Sequence, residues 1–540
     1  MVPAVIGEGG ELVNASLRII PGSGQVYLGA LPHTAADTQL SATEAILFAK
    51  SISNEPCEDC DFLLMFDNEQ SGGRIEGPSA GLAMSVLAYS LLENKSLRDD
   101  VVITGSVASS GQVGSVGGIS EKAKAAGLSG ARYFITPPMG FYQMLTLRTL
   151  EEDYGIEVLE ASNASEVFMF IFENKTINQT EFRAGKQEPP DIPEYDSSGF
   201  EGFRDVSAEM LSILDNRIDS LGSGDHESEE VKKYFSNKHN VTSFILDKGY
   251  LFTAANSAFL DYIEISTVDA IMRDSLELGA KRSDAYSCLE SIERPQMTDK
   301  NFQWLVGSRL RENWAQDKLA KTDISGALTS EEKYSIYYEL MYADAWCHVS
   351  SSLASKAAPD GSPINSSIWK SLAREYLDEA ESMEHTPDTA DRIEIARLSF
   401  EDGDYGSAIF DSVFVIAMDQ STSDLENMDP EQLPSIVNEL SAANRTSLWA
   451  QVYQSQGVFL MEVGSNATAY KIFRLAEGLD SASALMLSKA EAVVQEKKDE
   501  EEQDSLVEVL QLSIFIIFLL ILIYIAIRKL TGGSNANKRK

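Results

Sequence analysis

The stretch RIEGPSAGLAM, Arg74 to Met84, decides how this chain is read. Its centre, Gly77-Pro78-Ser79-Ala80-Gly81, is a G-x-S-x-G sequence, the pattern of a tight turn that presents a serine hydroxyl. Such a hydroxyl is a weak nucleophile near neutral pH and needs a base. The identity of the base separates enzyme classes. A histidine base would follow the serine along the chain, after an acidic residue. The first 175 residues hold one histidine, His33, and it precedes Ser79. His226, His239, His348 and His385 fall in a later region of helical periodicity. A histidine triad has no candidate near Ser79.

Working outward, residues 1–175 alternate strand and helix patterns. Ala15–Ile20 and Gln25–Gly29 read as strands around a Pro21–Gly24 turn. Thr43–Ile52 reads as a helix and Phe62–Phe66 as a buried strand. Pro78–Leu92 reads as a helix with proline in its first turn. Val101–Thr104 reads as a strand, and a glycine-rich hairpin follows it to Gly118. A helix capped by Ser120 comes next. Strand Tyr133–Thr136, helix Phe141–Asp153, strand Ile156–Leu159 and helix Ser165–Phe172 complete an α+β domain.

Downstream of the serine stands Gly117-Gly118-Ile119-Ser120-Glu121-Lys122, preceded by Val101-Val102-Ile103-Thr104-Gly105. Together with Pro78-Ser79-Ala80-Gly81, these pieces resemble the proteolytic domain of the Lon family. In that family a P-S-A-G nucleophile, a T-G strand and a G-G-x-x-E-K helix start follow in this order. The spacing of 43 positions from Ser79 to Lys122 matches the family without a gap. The Gly130–Pro137 strand region is similar as well. The resemblance covers about residues 1–175. It implies a Ser–Lys dyad, with Ser79 as nucleophile and Lys122 as general base. It also implies that Thr104 orients the lysine. Glu76 takes a position that is often acidic in the family, as a substrate or loop contact or as a solvated carboxylate. Gly77 and Pro78 shape the turn. The hairpin reads Val113-Gly114-Ser115-Val116 where many relatives carry proline, which touches loop stiffness only.

The chemistry sets its own demands. A lysine acts as a base only when neutral, and its free pKa of about 10.4 must fall by burial. Ile119, Ala123, Ala125 and Ala126 supply apolar or small neighbours. Glu121 opposes the shift, so it is expected to point outward. Lys124 sits off the face of Lys122 and reads as a solvated charge. Free N–H groups at the start of the helix after Ser79 suit an oxyanion.

The rest of the chain adds context. Net charge is −39, which argues against nucleic-acid partners and fits solubility or adaptation to high salt. The four cysteines hold one close pair, Cys57 and Cys60, too few for a zinc site. Disulfides 57–60 and 288–347 or reduced thiols are both open readings. No metal or organic cofactor is implied. No G-x-x-x-x-G-K-[ST] sequence occurs in the 540 residues, so no ATPase module is read.

Residues 176–199, with Glu188-Pro189-Pro190-Asp191-Ile192-Pro193, read as a linker. Residues 200–500 read as an all-α domain of stacked, tetratricopeptide-like hairpins. Leu398–Ala408 and Phe459–Gly464 followed by Ala469 look like hairpin turns, but their glycines, Gly403 and Gly464, are 61 residues apart, so no strict repeat holds. This domain is either a groove for peptides and partner proteins or a plain spacer.

Residues 506–527 include LSIFIIFLLILIYIAI, long enough for one transmembrane helix of about 20 residues. Acidic residues dominate before it and basic ones after it, so the tail 528–540 is expected to be cytoplasmic. Nine N-x-S/T sequons, at Asn14, Asn94, Asn163, Asn174, Asn178, Asn240, Asn365, Asn444 and Asn466, exceed the roughly three expected by chance. They fit an exported glycoprotein. The start at Met1 shows no signal peptide, so export expects a leader upstream; a tail anchor with cytoplasmic bulk is the other reading.

The sequence reading is therefore an ATP-independent, membrane-anchored serine endopeptidase of an archaeal-like kind. Its substrates would be flexible or unfolded polypeptides outside the membrane. Homo-oligomers are compatible with the resemblance. The rival reading is an inactive Lon-like scaffold whose helical domain binds partner proteins at the membrane.

Overall fold

The computed structural model describes residues 2–6, 9–31, 36–67, 78–108, 110–178, 188–221, 226–326, 328–429 and 432–532. Glu76, Gly77, His33 and residues 533–540 of the basic tail lie outside them.

The first domain carries strands β1 (Val2–Ile6), β2 (Gly9–Pro21), β3 (Val26–Leu31) and β4 (Cys60–Asp67) in one sheet, ordered β1-β2-β4-β3. The strands flanking the Pro21–Gly24 turn do not pair with each other. β4 inserts between them, antiparallel to β2 with Leu17 opposite Leu64 and parallel to β3 with Leu28 opposite Leu64. Strand β1, absent from the sequence reading, pairs antiparallel with β2. Alternation along β4 explains the packing. Phe62, Leu64 and Phe66 are buried, while Met65 is exposed. Helices α1 (Ala36–Ile52) and α2 (Gly81–Leu92) share the resulting core with the buried face of the sheet.

A second, parallel sheet holds β5 (Val101–Ile103), β8 (Tyr133–Thr136) and β9 (Glu157–Glu160), ordered β5-β8-β9. The short β6 (Ser106–Val107) and β7 (Val113–Gly114) form the glycine-rich hairpin. Helices α3 (Ile119–Leu128) and α4 (Phe141–Tyr154) pack on this sheet through Ile119, Ala123, Ala126, Leu147 and Leu150. Helix α5 (Ala164–Glu173) is capped by Asn163, whose side chain accepts the Ser165 N–H at 2.9 Å.

The rest of the chain is helical: α6 (Phe203–Ser220), α7 (His226–Asp247), α8 (Leu251–Met272), α9 (Leu278–Glu290), α10 (Phe302–Lys321) and α11 (Ser330–Ser355). Then come α12 (Lys370–Glu381), α13 (Pro387–Glu401), α14 (Tyr405–Asn427), α15 (Leu433–Ser441), α16 (Leu448–Glu462) and α17 (Asn466–Gly532). The two turns singled out by sequence join packed pairs, α13 with α14 and α16 with α17. Gly403 and Gly464 take the left-handed conformation there, at φ +80° and +82°.

Of the expected linker 176–199, residues 176–178 and 188–199 are described. Ile177 is buried in the first domain's core and Ile192 in the helical one. Helix α4 also docks on the bundle, with Tyr142 stacked on Tyr338 at 4.2 Å and Phe141 edge-on to Tyr234 at 5.3 Å. Cys57 is bonded to Cys60, and Cys288 to Cys347.

Among the described residues, no helix is long and apolar enough to cross a membrane. The expected span over 506–527 falls within α17. Side chains 501–509, 514, 517 and 524–532 are not among those described. Its described members, Leu512, Phe515, Ile516 and Phe518–Ile523, project from the helix surface.

Candidate active site

Ser79 sits in a 3-10 turn, Pro78–Ala80, that leads directly into α2. Four contacts pin the turn. The Ser79 carbonyl accepts the Gly105 N–H at 2.9 Å and the Thr104 hydroxyl at 3.3 Å. The Leu82 N–H returns to the Gly105 carbonyl at 2.9 Å. The Ser41 hydroxyl donates to the Pro78 carbonyl at 3.1 Å. Gly81 permits this closeness: a Cβ there would meet Ser41 Oγ at 2.7 Å and the Val107 nitrogen at 3.1 Å.

Lys122 enters from α3. Gly118 caps that helix in the left-handed region, at φ +63°. Ser120 therefore lies inside the first turn rather than at the cap the sequence suggested. The early start places Lys122, Ala123, Ala125 and Ala126 on the buried side and leaves Lys124 exposed, as expected. Lys122 is 4% exposed. Burial lowers its pKa from the ordinary amine value to about 8, and the neighbouring Glu121 carboxylate partly opposes this. Glu121 is half-buried rather than fully outward.

Both side chains line one cavity of about 380 Å³, with Val2, Ala4, Phe66 and Ser115 among the other walls. No hydrogen bond joins Ser79 to Lys122 there. The lysine Nζ donates instead to the Gly117 carbonyl at 2.8 Å. Thr104 is fully buried, and its hydroxyl bonds the serine's backbone rather than the lysine. No group of metal-ligating side chains gathers among the described residues.

The arrangement is a pinned serine turn, a buried amine of lowered basicity and a shared cavity, in the chain order serine, threonine–glycine, lysine. Residues 4–168 match the Lon protease (S16) C-terminal proteolytic domain. The chain is 34% identical over 133 residues to Lon protease 2 of Sorangium cellulosum, covering 24% of this chain and 16% of that one. It is 30% identical over 186 residues to Lon protease 2 of Bdellovibrio bacteriovorus, covering 34% of this chain and 23% of the relative. It is also similar to the mitochondrial Lon protease homolog of Drosophila melanogaster, 36% identical over 114 residues, or 21% and 11% of the two chains. The matches thus span less than a quarter of these relatives. Sequence reasoning missed Ser41 and Gly105 as supports of the turn. The Gly105 signal was present, since glycine after a strand often marks a close backbone approach.

Proposed function

We propose that this chain is a serine endopeptidase in which Ser79 is the nucleophile and Lys122 the general base. The observation that carries the reading is the buried Lys122 amine, with a pKa of about 8, opening on the same cavity as Ser79. A rotation of the lysine away from Gly117 brings the neutral amine to the serine hydroxyl. Lys122 takes the proton as Oγ attacks the scissile carbonyl. The first-turn N–H groups after Ser79 hold the oxyanion. The lysine ammonium then protonates the leaving amine, and the neutral lysine so regenerated takes a proton from the water that attacks and releases the acyl group. Pro78 and Thr104 keep the turn in place.

The substrates proposed are flexible or unfolded polypeptides, cleaved without ATP. The chain is further proposed to be membrane-anchored through 506–527, with its bulk outside and its tail inside. The asymmetric flanking charge supports this. So do the two disulfides, which favour an oxidising compartment. None of the nine sequon asparagines is buried.

A second reading, the inactive scaffold, draws on one observation: Lys122 is hydrogen-bonded to Gly117 and not to Ser79. Digestion of fluorescent casein by the full chain separates the two. Wild type cleaves without ATP, and Ser79→Ala and Lys122→Ala do not. Equal cleavage by all three, or by none, leaves the scaffold.

A further inference from the structure

The helical region holds a second cavity, of about 350 Å³, lined by residues of α6, α8, α10, α11, α13, α14, α16 and α17. That is within the range of small-molecule sites, about 300–1,000 Å³. Its walls are aromatic, with Trp314, Trp346, Trp449, Phe252, Phe414 and Tyr453 among them. The exposed Asn256 and Leu260 of α8 form a rim, so the cavity reaches the surface on that side.

One cation is set into this apolar wall. Arg311 is 5% exposed. Its guanidinium lies over the rings of Trp314 and Trp449 at 4.7 and 4.5 Å. Its Nη1 reaches the Gly307 carbonyl at a long 3.4 Å, and the Tyr453 hydroxyl faces it. The nearby carboxylate, Asp411, is already engaged. It accepts from Trp314 Nε1 at 3.2 Å and from Arg392 Nη1 at 3.3 Å. Among the described residues, no carboxylate lies within ion-pairing distance of Arg311. Two guanidiniums thus face one carboxylate, leaving one positive charge in a chain of net charge −39. Burying a cation without an anion is costly, and a guanidinium offers five donors. The site lacks one anionic acceptor.

The remaining walls choose the body of the ligand. They offer few polar atoms, so the amides of a peptide would be buried without partners, at a cost. An alkyl chain has no such need. We propose that this cavity binds a fatty-acyl carboxylate, with the carboxylate on Arg311 and the chain among the indoles.

Three of the five tryptophans line the cavity, so their fluorescence reports occupancy. The purified full chain is titrated below micelle formation with dodecanoate, with dodecanol and with N-acetyl-leucyl-phenylalanine as the free acid. Dodecanoate saturates at a concentration at least about tenfold below dodecanol, as a charge-assisted hydrogen bond requires. Arg311→Gln removes that difference. Asn256→Tyr, at the exposed rim, narrows the entrance without touching a buried group. It weakens dodecanoate at least about tenfold while the circular dichroism stays unchanged. Equal binding of dodecanoate and dodecanol overturns the proposal. So does tighter binding of the peptide acid, no saturable change, or an Asn256→Tyr protein that binds like wild type.

Discussion

Thr104 holds Ser79 by its carbonyl, with the Oγ1 of the buried threonine donating to the serine carbonyl oxygen at 3.3 Å. The contact fixes where the turn sits and leaves the lysine untouched. Thr104→Val keeps the shape and deletes one donor, while the Gly105 N–H still serves the same carbonyl. The expected loss in kcat/KM is about three- to tenfold, from a hydrogen bond of about 1 kcal/mol. The midpoint of the pH–rate profile should not move. A shifted midpoint would show that Thr104 acts on Lys122 after all.

Activity should climb with pH and level off above about 8, where the buried amine becomes neutral. Stability follows from the same shift. Folding lowers the lysine pKa from 10.5 to about 8, so between those values the unfolded chain holds the extra proton. Stability must therefore rise with pH across that window and reach its full value above it. Below pH 8 the buried ammonium costs up to about 3 kcal/mol, at about 1.4 kcal/mol per unit. Lys122→Met should lack this pH dependence and be more stable at pH 7 by about 1–3 kcal/mol. Urea unfolding of both proteins at pH 7 and pH 10 measures it, and parallel curves would refute the burial argument.

Gly81→Ala tests the clamp around the serine turn. The added methyl meets Ser41 Oγ at 2.7 Å and the Val107 nitrogen at 3.1 Å, and Val107 belongs to a backbone that cannot swing aside. A destabilisation of about 1–3 kcal/mol is expected, with cleavage lost or strongly reduced even where the protein stays folded. A Gly81→Ala enzyme of normal rate would mean that the turn tolerates displacement.

The bond between Cys288 and Cys347 closes 59 residues and ties α9 to α11. Replacing both cysteines with serine should lower stability by about 2–4 kcal/mol through the freed unfolded chain. Casein cleavage at 25 °C should be unchanged, because the bond lies in the helical region. Thermal melting with and without reductant, and peptide mapping of the linkage, provide the check.

Local patterns made much of this legible. The P-S-A-G turn, the G-G-x-x-E-K helix start and the spacing between them point to one family on their own. Two features were not legible. The strands on either side of Pro21–Gly24 were legible but their order in the sheet was not, because β4, which pairs with both, comes from beyond α1. Ser120 read as a cap from its residue type, yet Gly118 reaches the left-handed conformation at no steric cost and starts the helix earlier. The Arg311 cavity left no mark in the sequence. Its aromatic residues come from distant helices, and Arg311 and Asp411 are 100 positions apart.

Helix α17 is anchored in the bundle by Phe473, Leu479, Met486 and Ala490, then continues unbroken to Gly532. At about 1.5 Å per residue, the 16 positions from Ala490 to residue 506 make a strut of roughly 24 Å. A rigid strut transmits angle as well as height. Each residue inserted there would turn the whole catalytic body by about 100° about the axis, so the strut's phase decides which way the mouth of the serine cavity looks.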